Sequence, residues 1–149
     1  MSNYLVPGTY EILPKHNPEM SLNAWEGATT PGTPIKLYMR MPTSNNTHFN
    51  IVPAGSGYES HIICAKSGLY LCMNGIDRQI TTEMRPPTDN NIRWVLESVG
   101  DDAYAINSCS DGGNAQLNVR GANRDIGAEV ITWVVSPDAA HAQFILKAI

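Results

Sequence analysis

Ile35-Lys36-Leu37-Tyr38-Met39-Arg40-Met41-Pro42-Thr43-Ser44-Asn45-Asn46-Thr47-His48-Phe49-Asn50-Ile51 returns 45 positions later as Ile80-Thr81-Thr82-Glu83-Met84-Arg85-Pro86-Pro87-Thr88-Asp89-Asn90-Asn91-Ile92-Arg93-Trp94-Val95-Leu96. Isoleucine, Met-Arg, Pro-Thr and Asn-Asn recur unchanged, and each copy closes on an aromatic with an aliphatic two residues later. A fainter third copy lies 95 residues after the first: Leu22, Asn23, Gly32, Pro42 and Phe49 meet Leu117, Asn118, Gly127, Pro137 and Phe144. Ile35, Tyr38 and Ile51 meet Val130, Trp133 and Leu146 in the same frame. A period of 45 to 50 over 149 residues means three copies of one supersecondary unit. Such units bury their apolar faces against their siblings.

The copies are built of strands. Thr9 to Leu13, Ile35 to Met39, Phe49 to Val52, His61 to Ala65, Ile80 to Met84, Trp94 to Glu97, Tyr104 to Asn107, Val130 to Val135 and Phe144 to Leu146 are short alternating or β-branched runs, and no helical stripe appears. Asn74-Gly75 and Asp111-Gly112-Gly113 are hairpin signals, because these residues tolerate the positive φ of tight turns. Each copy opens on an aliphatic strand (Tyr10 to Ile12, Ile62-Ile63, Tyr104 to Ile106). A strand centred on Leu22, Leu71 or Leu117 follows, then a third at Ile35, Ile80 or Val130, then the closing aromatic strand. Four strands in each of three copies make twelve, the all-β count and period of a β-trefoil. The expected repeats are 7–54, 57–99 and 102–149 within a single domain spanning 1–149. Phe49, Trp94 and Phe144 are then core anchors converging on the pseudo-threefold axis, each burial contributing roughly 2–3 kcal/mol.

Composition narrows the function. The chain is 42% hydrophobic and 16% charged, with net charge −4 and ten scattered Lys and Arg, which argues against nucleic acid. No apolar run approaches the ~20 residues of a membrane span, so no membrane insertion is expected. Met1 to Tyr10 carries neither a basic region nor an apolar block, so no secretory signal is read and a cytoplasmic location is expected. Cys64, Cys72 and Cys109 are odd in number and irregular in spacing, which suits buried free thiols rather than disulfides or a metal. His16, His48, His61 and His141 lie apart without ligand spacing, and no hydrolase or nucleotide motif appears, so neither catalysis, metal nor cofactor is expected. His48 alternates away from Phe49 and is expected to face solvent.

The copies differ where chemistry would sit. Trp25 aligns with Arg120, Tyr38 with Glu83 and Trp133, Arg40 with Arg85 and Val135, and Asn46 with Asn91 and His141. Copy one alone joins an aromatic before a Glu26-Gly27 turn to a second aromatic, an Arg and an Asn. This set suits a sugar. A ring stacks on the C–H face of a pyranose. Asn both donates and accepts, a carboxylate accepts, Arg donates in a planar fork, and Gly lets backbone come close. The plain structural alternative is that Trp25 covers the barrel edge, Arg40 pairs with Glu26, and Asn46 caps the loop before Phe49.

The repeat ends are similar to the Asn-Gln-x-Trp endings of ricin-B-like lectins. Gly8 to Ile12 followed by Ser21-Leu22-Asn23-Ala24-Trp25-Glu26-Gly27 resembles fungal agglutinins of the Sclerotinia type, and the repeat pattern carries the likeness to the C-terminus. The resemblance implies a β-trefoil, non-catalytic binding of terminal galactose and N-acetylgalactosamine, one occupied site in the first repeat, and a homodimer. Carried over by position, the carbohydrate-binding residues are Trp25, Glu26, Gly27, Tyr38, Arg40 and Asn46. Thr47 stands where ricin-type repeats have Gln, Phe49 replaces Trp, and the early Asp of those repeats is missing, which leaves the acceptor role to Glu26 or to backbone. The rival is a β-trefoil protease inhibitor acting through Pro14 to Pro18 or Arg85-Pro86-Pro87.

Overall fold

A computed structural model describes residues 7–149. The first six residues of the stretch searched for a leader, Met1 to Tyr10, lie outside the described residues. The first repeat holds β1 (Gly8–Pro14), β2 (Met20–Ala24), β3 (Thr33–Met39) and β4 (Phe49–Pro53). The second holds β5 (Glu59–Cys64), β6 (Tyr70–Cys72), β7 (Arg78–Gln79), β8 (Thr81–Glu83) and β9 (Trp94–Gly100). The third holds β10 (Ala103–Ser108), β11 (Ala115–Val119), β12 (Val130–Val134) and β13 (Phe144–Ala148).

The first and last strands of each repeat close a barrel. β1 pairs with β4 and β13, β4 with β5, β5 with β9, β9 with β10, and β10 with β13, all antiparallel. The ring has no free edge, which removes the pairing hazard of an open sheet. The inner strands form three hairpins, β2–β3, β6–β8 and β11–β12. They meet at the axis: Ile35 N–H donates to Ile80 O (3.0 Å), and Ile80 N–H to Val130 O (2.9 Å). This is the β-trefoil the repeat implied.

The core repeats with the sequence. Phe49, Trp94 and Phe144 are fully buried, and so are the layers Leu22/Leu71/Leu117, Ile35/Ile80/Val130 and Ile12/Ile62/Ile106. Only Trp94 brings a polar atom into the aromatic layer, and its indole N–H donates to Leu71 O at 3.1 Å. Thr47, Ile92 and Ala142, two residues ahead of each aromatic, are also fully buried. Here an apolar or small side chain fills the place of the ricin-type Gln.

Two expectations need correction. Thirteen strands are present rather than twelve, because the third strand of repeat two is split at Ile80. Both backbone groups of Ile80 bond neighbouring hairpins, so it leaves the ladder of its own hairpin. His48 is half-buried rather than solvent-facing. Its Nε2 donates to Pro42 O at 2.7 Å. Arg93 does the same to Pro87 O (2.8 Å) and Gln143 to Pro137 O (2.9 Å). Three different donors, at equivalent positions, tie down three equivalent prolyl loops.

Candidate functional site

Each repeat carries a cleft beside its inner hairpin. The first, about 400 Å³, is lined by Asn23, Trp25, Glu26, Gly27, Tyr38, Met41, Ser44, Asn46 and Lys66. Five of the six residues singled out in the sequence are therefore brought together. The sixth, Arg40, is not.

The hairpin supplies the floor. Asn23 and Lys36 face each other across β2 and β3, as do Ser21 and Tyr38. Leu22, Ile35 and Leu37 alternate into the core, so Tyr38 falls on the outer face and is 36% exposed. After β2 the chain reverses within three residues. Glu26 (φ 58°) and Gly27 (φ 69°) take successive left-handed conformations, and Ala28 N–H closes the turn on Trp25 O at 3.2 Å. Trp25 lands edge-on to Tyr38, ring centroids 6.1 Å apart at 71°. Lys36 Nζ covers the Trp25 ring at 5.1 Å from its centroid.

The polar end is built on a second turn, Asn45–Thr47, ahead of β4. Thr47 Oγ1 donates to Ser44 O at 2.7 Å and holds that turn. Asn46 is buried at 8% exposure. Its amide nitrogen donates to Asn23 Oδ1 (3.1 Å) and Ala24 O (3.2 Å), and its Oδ1 accepts from the Ser44 hydroxyl. Both Asn46 N–H groups are thus used, and one lone pair of its oxygen remains without a partner among the described residues. Asn23 keeps its own Nδ2 hydrogens without a partner among the described residues. The pair presents one acceptor and one donor side by side. Glu26 is exposed and enters no ion pair among the described residues, and it adds a further acceptor.

Arg40 belongs to the barrel instead. It grips Glu11 of β1 with two bonds, Nε at 3.1 Å and Nη2 at 2.6 Å, and the Glu11 side chain is only 1% exposed. The hydrogen bond to Glu11 holds the Arg40 pKa above its ordinary value. The guanidinium neutralises a buried carboxylate and borders a different cleft from the other five residues, and its partner is not Glu26. Asn23, Met41, Ser44 and Lys66 are pocket residues that were not singled out. Asn23 carried a visible signal, its recurrence as Asn118. Lys66 carried none, because it comes from the β5–β6 turn of repeat two.

The sister clefts differ in lining more than in size. That of repeat two, about 440 Å³, has Met73, Asn74, Arg85, Asn91 and Asp111 but no aromatic ring, and Arg85 is engaged with Asp89 at 3.2 Å. That of repeat three, about 280 Å³, keeps Asn118 and Trp133. There Arg120 takes the place of Trp25 and bonds Asp77 and Glu129, the latter at 2.8 Å. His141 replaces Asn46 and stands edge-on to His16 at 6.2 Å. Burial first, then His16, lowers the His141 pKa below 6.5.

Thiol chemistry finds little to use. Cys64 and Cys72 are buried, while Cys109 is only partly so. Burial pushes the Cys72 and Cys109 thiols up to about 11, which leaves little thiolate near neutral pH. The Pro14 to Pro18 loop is pinned to repeat three: Lys15 N–H donates to Gln143 O (2.9 Å), His16 Nε2 to Asn123 O (2.9 Å) and Asn17 Nδ2 to Arg124 O (3.1 Å). Pro87 O of the Arg85-Pro86-Pro87 loop is held by both Arg93 and His61.

Residues 45–133 match the family described as ricin-type β-trefoil lectin domain-like. An agglutinin of Sclerotinia sclerotiorum is 33% identical over 133 residues, 84% of this chain and 86% of that protein. Among solved structures, the Rhizoctonia solani agglutinin superposes with a TM-score of 0.81 at 19% identity, covering 98% of both chains. The C-half of an earthworm R-type lectin, solved in complex with GalNAc, gives 0.76 at 19% identity over 96% of this chain and 100% of that one. A family match over more than half the sequence and a relative aligned along most of it agree with the closed barrel and its three hairpins: the chain belongs to the ricin-type β-trefoil lectins.

Proposed function

We propose that this carbohydrate-binding protein recognises terminal galactose or N-acetylgalactosamine through the repeat-one cleft, without catalysis. The observation that carries this reading is the paired Asn23 and Asn46 amides lying beside an exposed ring. A pyranose edge needs a donor and an acceptor at hydrogen-bond spacing, and its apolar face needs a flat partner. Tyr38 is the platform, because Lys36 already covers one face of Trp25. Trp25 braces Tyr38 from the edge, and the Glu26 carboxylate and Gly27 backbone complete the polar rim. The galactose-type preference is carried over from the family likeness and from the N-acetylgalactosamine bound by the earthworm lectin.

One such site per chain is expected, since repeat two lacks the ring and repeat three has its Arg120 and Asp77 tied together across the cleft. A shallow site of this kind binds monosaccharide at roughly 0.1–1 mM, or about 4–5 kcal/mol. A homodimer presenting two sites then supplies the avidity that glycan surfaces require. Three unpaired cysteines suit a reducing compartment, and we place the protein in the cytoplasm.

The test is a glycan array probed with purified protein, with and without free N-acetylgalactosamine. Signal confined to terminal galactose-type glycans and lost on competition is the expected result. A blank array from folded protein would overturn the reading and send the search to protease panels.

A further inference from the structure

All five ion pairs among the described residues use an arginine. Lys36 and Lys66 enter none of them, yet both converge on the Trp25–Gly27 turn. A Cβ placed on Gly27 would lie 2.7 Å from Lys66 Nζ and 4.0 Å from Asn46 Cγ. The ammonium and the Asn46 amide therefore border the same space at the polar end of the cleft. Gly27 suits this position through its left-handed φ of 69°. Lys36 Nζ stands over the Trp25 ring, outside the lining of the cleft itself. Glu26 is the carboxylate of this turn, and in the cleft lining it is matched by Lys66 alone. A chain of net charge −4 thus places an ammonium that enters no ion pair among the described residues, Lys66, in the lining of this cleft. Unpaired cations held at a rim set the sign of the ligands that approach and dock most tightly.

We propose that Lys66, assisted by Lys36, makes the repeat-one site select saccharides that bear an anionic group, a sulfate or a carboxylate, on or next to the galactose-type residue. This rests on the reading of the cleft as a sugar site. Lys66 also provides, from the neighbouring repeat, the cationic donor that Arg40 does not supply. The rim is solvent-exposed, so the gain is modest and salt-sensitive, about fivefold at low ionic strength.

The experiment is calorimetric titration of wild-type protein, Lys66→Met and Lys36→Met/Lys66→Met with three probes: methyl galactoside, its 6-sulfate, and sialyl-galactose. The quantity read is the ratio of neutral to anionic Kd. Wild type is expected to favour at least one anionic probe about fivefold, with the ratio falling toward one in Lys66→Met, in the double variant, and at high salt. A gain on the sulfate alone places the anion on the galactose ring, and a gain on sialyl-galactose alone places it on the neighbouring sugar. A ratio of one or less for both anionic probes in wild type would overturn the proposal, as would a fivefold ratio that survives in Lys66→Met. Failure of wild type to bind any of the three would instead overturn the sugar-site reading itself.

Discussion

The clefts of repeats one and three start from the same backbone and end with different chemistry. Both hang on an inner hairpin, keep an Asn (Asn23, Asn118) and an aromatic on the outer face (Tyr38, Trp133), and border a left-handed turn. In repeat one the turn carries Trp25 and an unpaired Glu26, and Asn46 holds Asn23 in place. In repeat three the turn carries Arg120, which closes on Asp77 and Glu129. Groups that satisfy one another have little left for a ligand. All three repeats have a cleft, and that of repeat one leaves open polar groups where that of repeat three pairs its Arg120 off.

The largest effect expected from this comparison is structural. Arg40→Met leaves the buried Glu11 carboxylate unpaired and is expected to cost about 3 kcal/mol of stability. Sugar affinity per folded molecule should stay at the wild-type value. Denaturant titration together with calorimetry checks both, and a large loss of affinity in the folded variant would return Arg40 to the site.

Asn46→Ala comes next. It removes the ligand-facing acceptor and releases Asn23, so affinity should fall at least about 30-fold, near 2 kcal/mol. The barrel should survive, because Asn46 belongs to no core layer. Unchanged affinity in this variant would remove the cleft as the binding site.

Opening the sister cleft is a smaller perturbation. The Arg120 pairs are exposed, so Arg120→Ala should change stability by within about 1 kcal/mol. It should create no second sugar site, because His141 still stands where the acceptor amide is needed. A second binding event in that variant would show that the Arg120 plug alone separates the two clefts.

The smallest effect is on pH dependence. The folded-state pKa of His141 lies below its ordinary 6.5, so the native protein binds fewer protons there than the unfolded chain. This contributes stability that is present above about pH 6.5 and lost as pH falls through the lower folded value. The drop in Tm between pH 7 and pH 5 should therefore be smaller in His141→Asn than in wild type. An equal or larger drop would contradict the burial of that imidazole.

The fold was legible because its layers repeat in the sequence. Phe49, Trp94 and Phe144 must meet at one axis, and they recur at spacings of 45 and 50 residues. The convergence of Trp25, Tyr38 and Asn46 on one candidate cleft was legible as asymmetry on that repeat. Arg40 misled for a physical reason. Aligning repeats compares a residue with its symmetry mates, and Arg85 and Val135 say nothing of Glu11, the partner that captures Arg40 from the barrel. Lys66 stayed hidden because it crosses from one repeat into the cleft of another. Ile80 broke its strand because its backbone bonds run to neighbouring hairpins, which no local β-propensity registers.

The chain contains three tryptophans, and the fold gives each a separate post: Trp25 at the repeat-one cleft, Trp94 in the core and Trp133 at the repeat-three cleft. Their indole N–H resonances, assigned by Trp→Phe variants, can be followed in one NMR titration with N-acetylgalactosamine. The Trp25 signal is expected to shift saturably while Trp94 and Trp133 hold their positions. A saturable shift of Trp133 with Trp25 unmoved would contradict the assignment of sugar binding to repeat one.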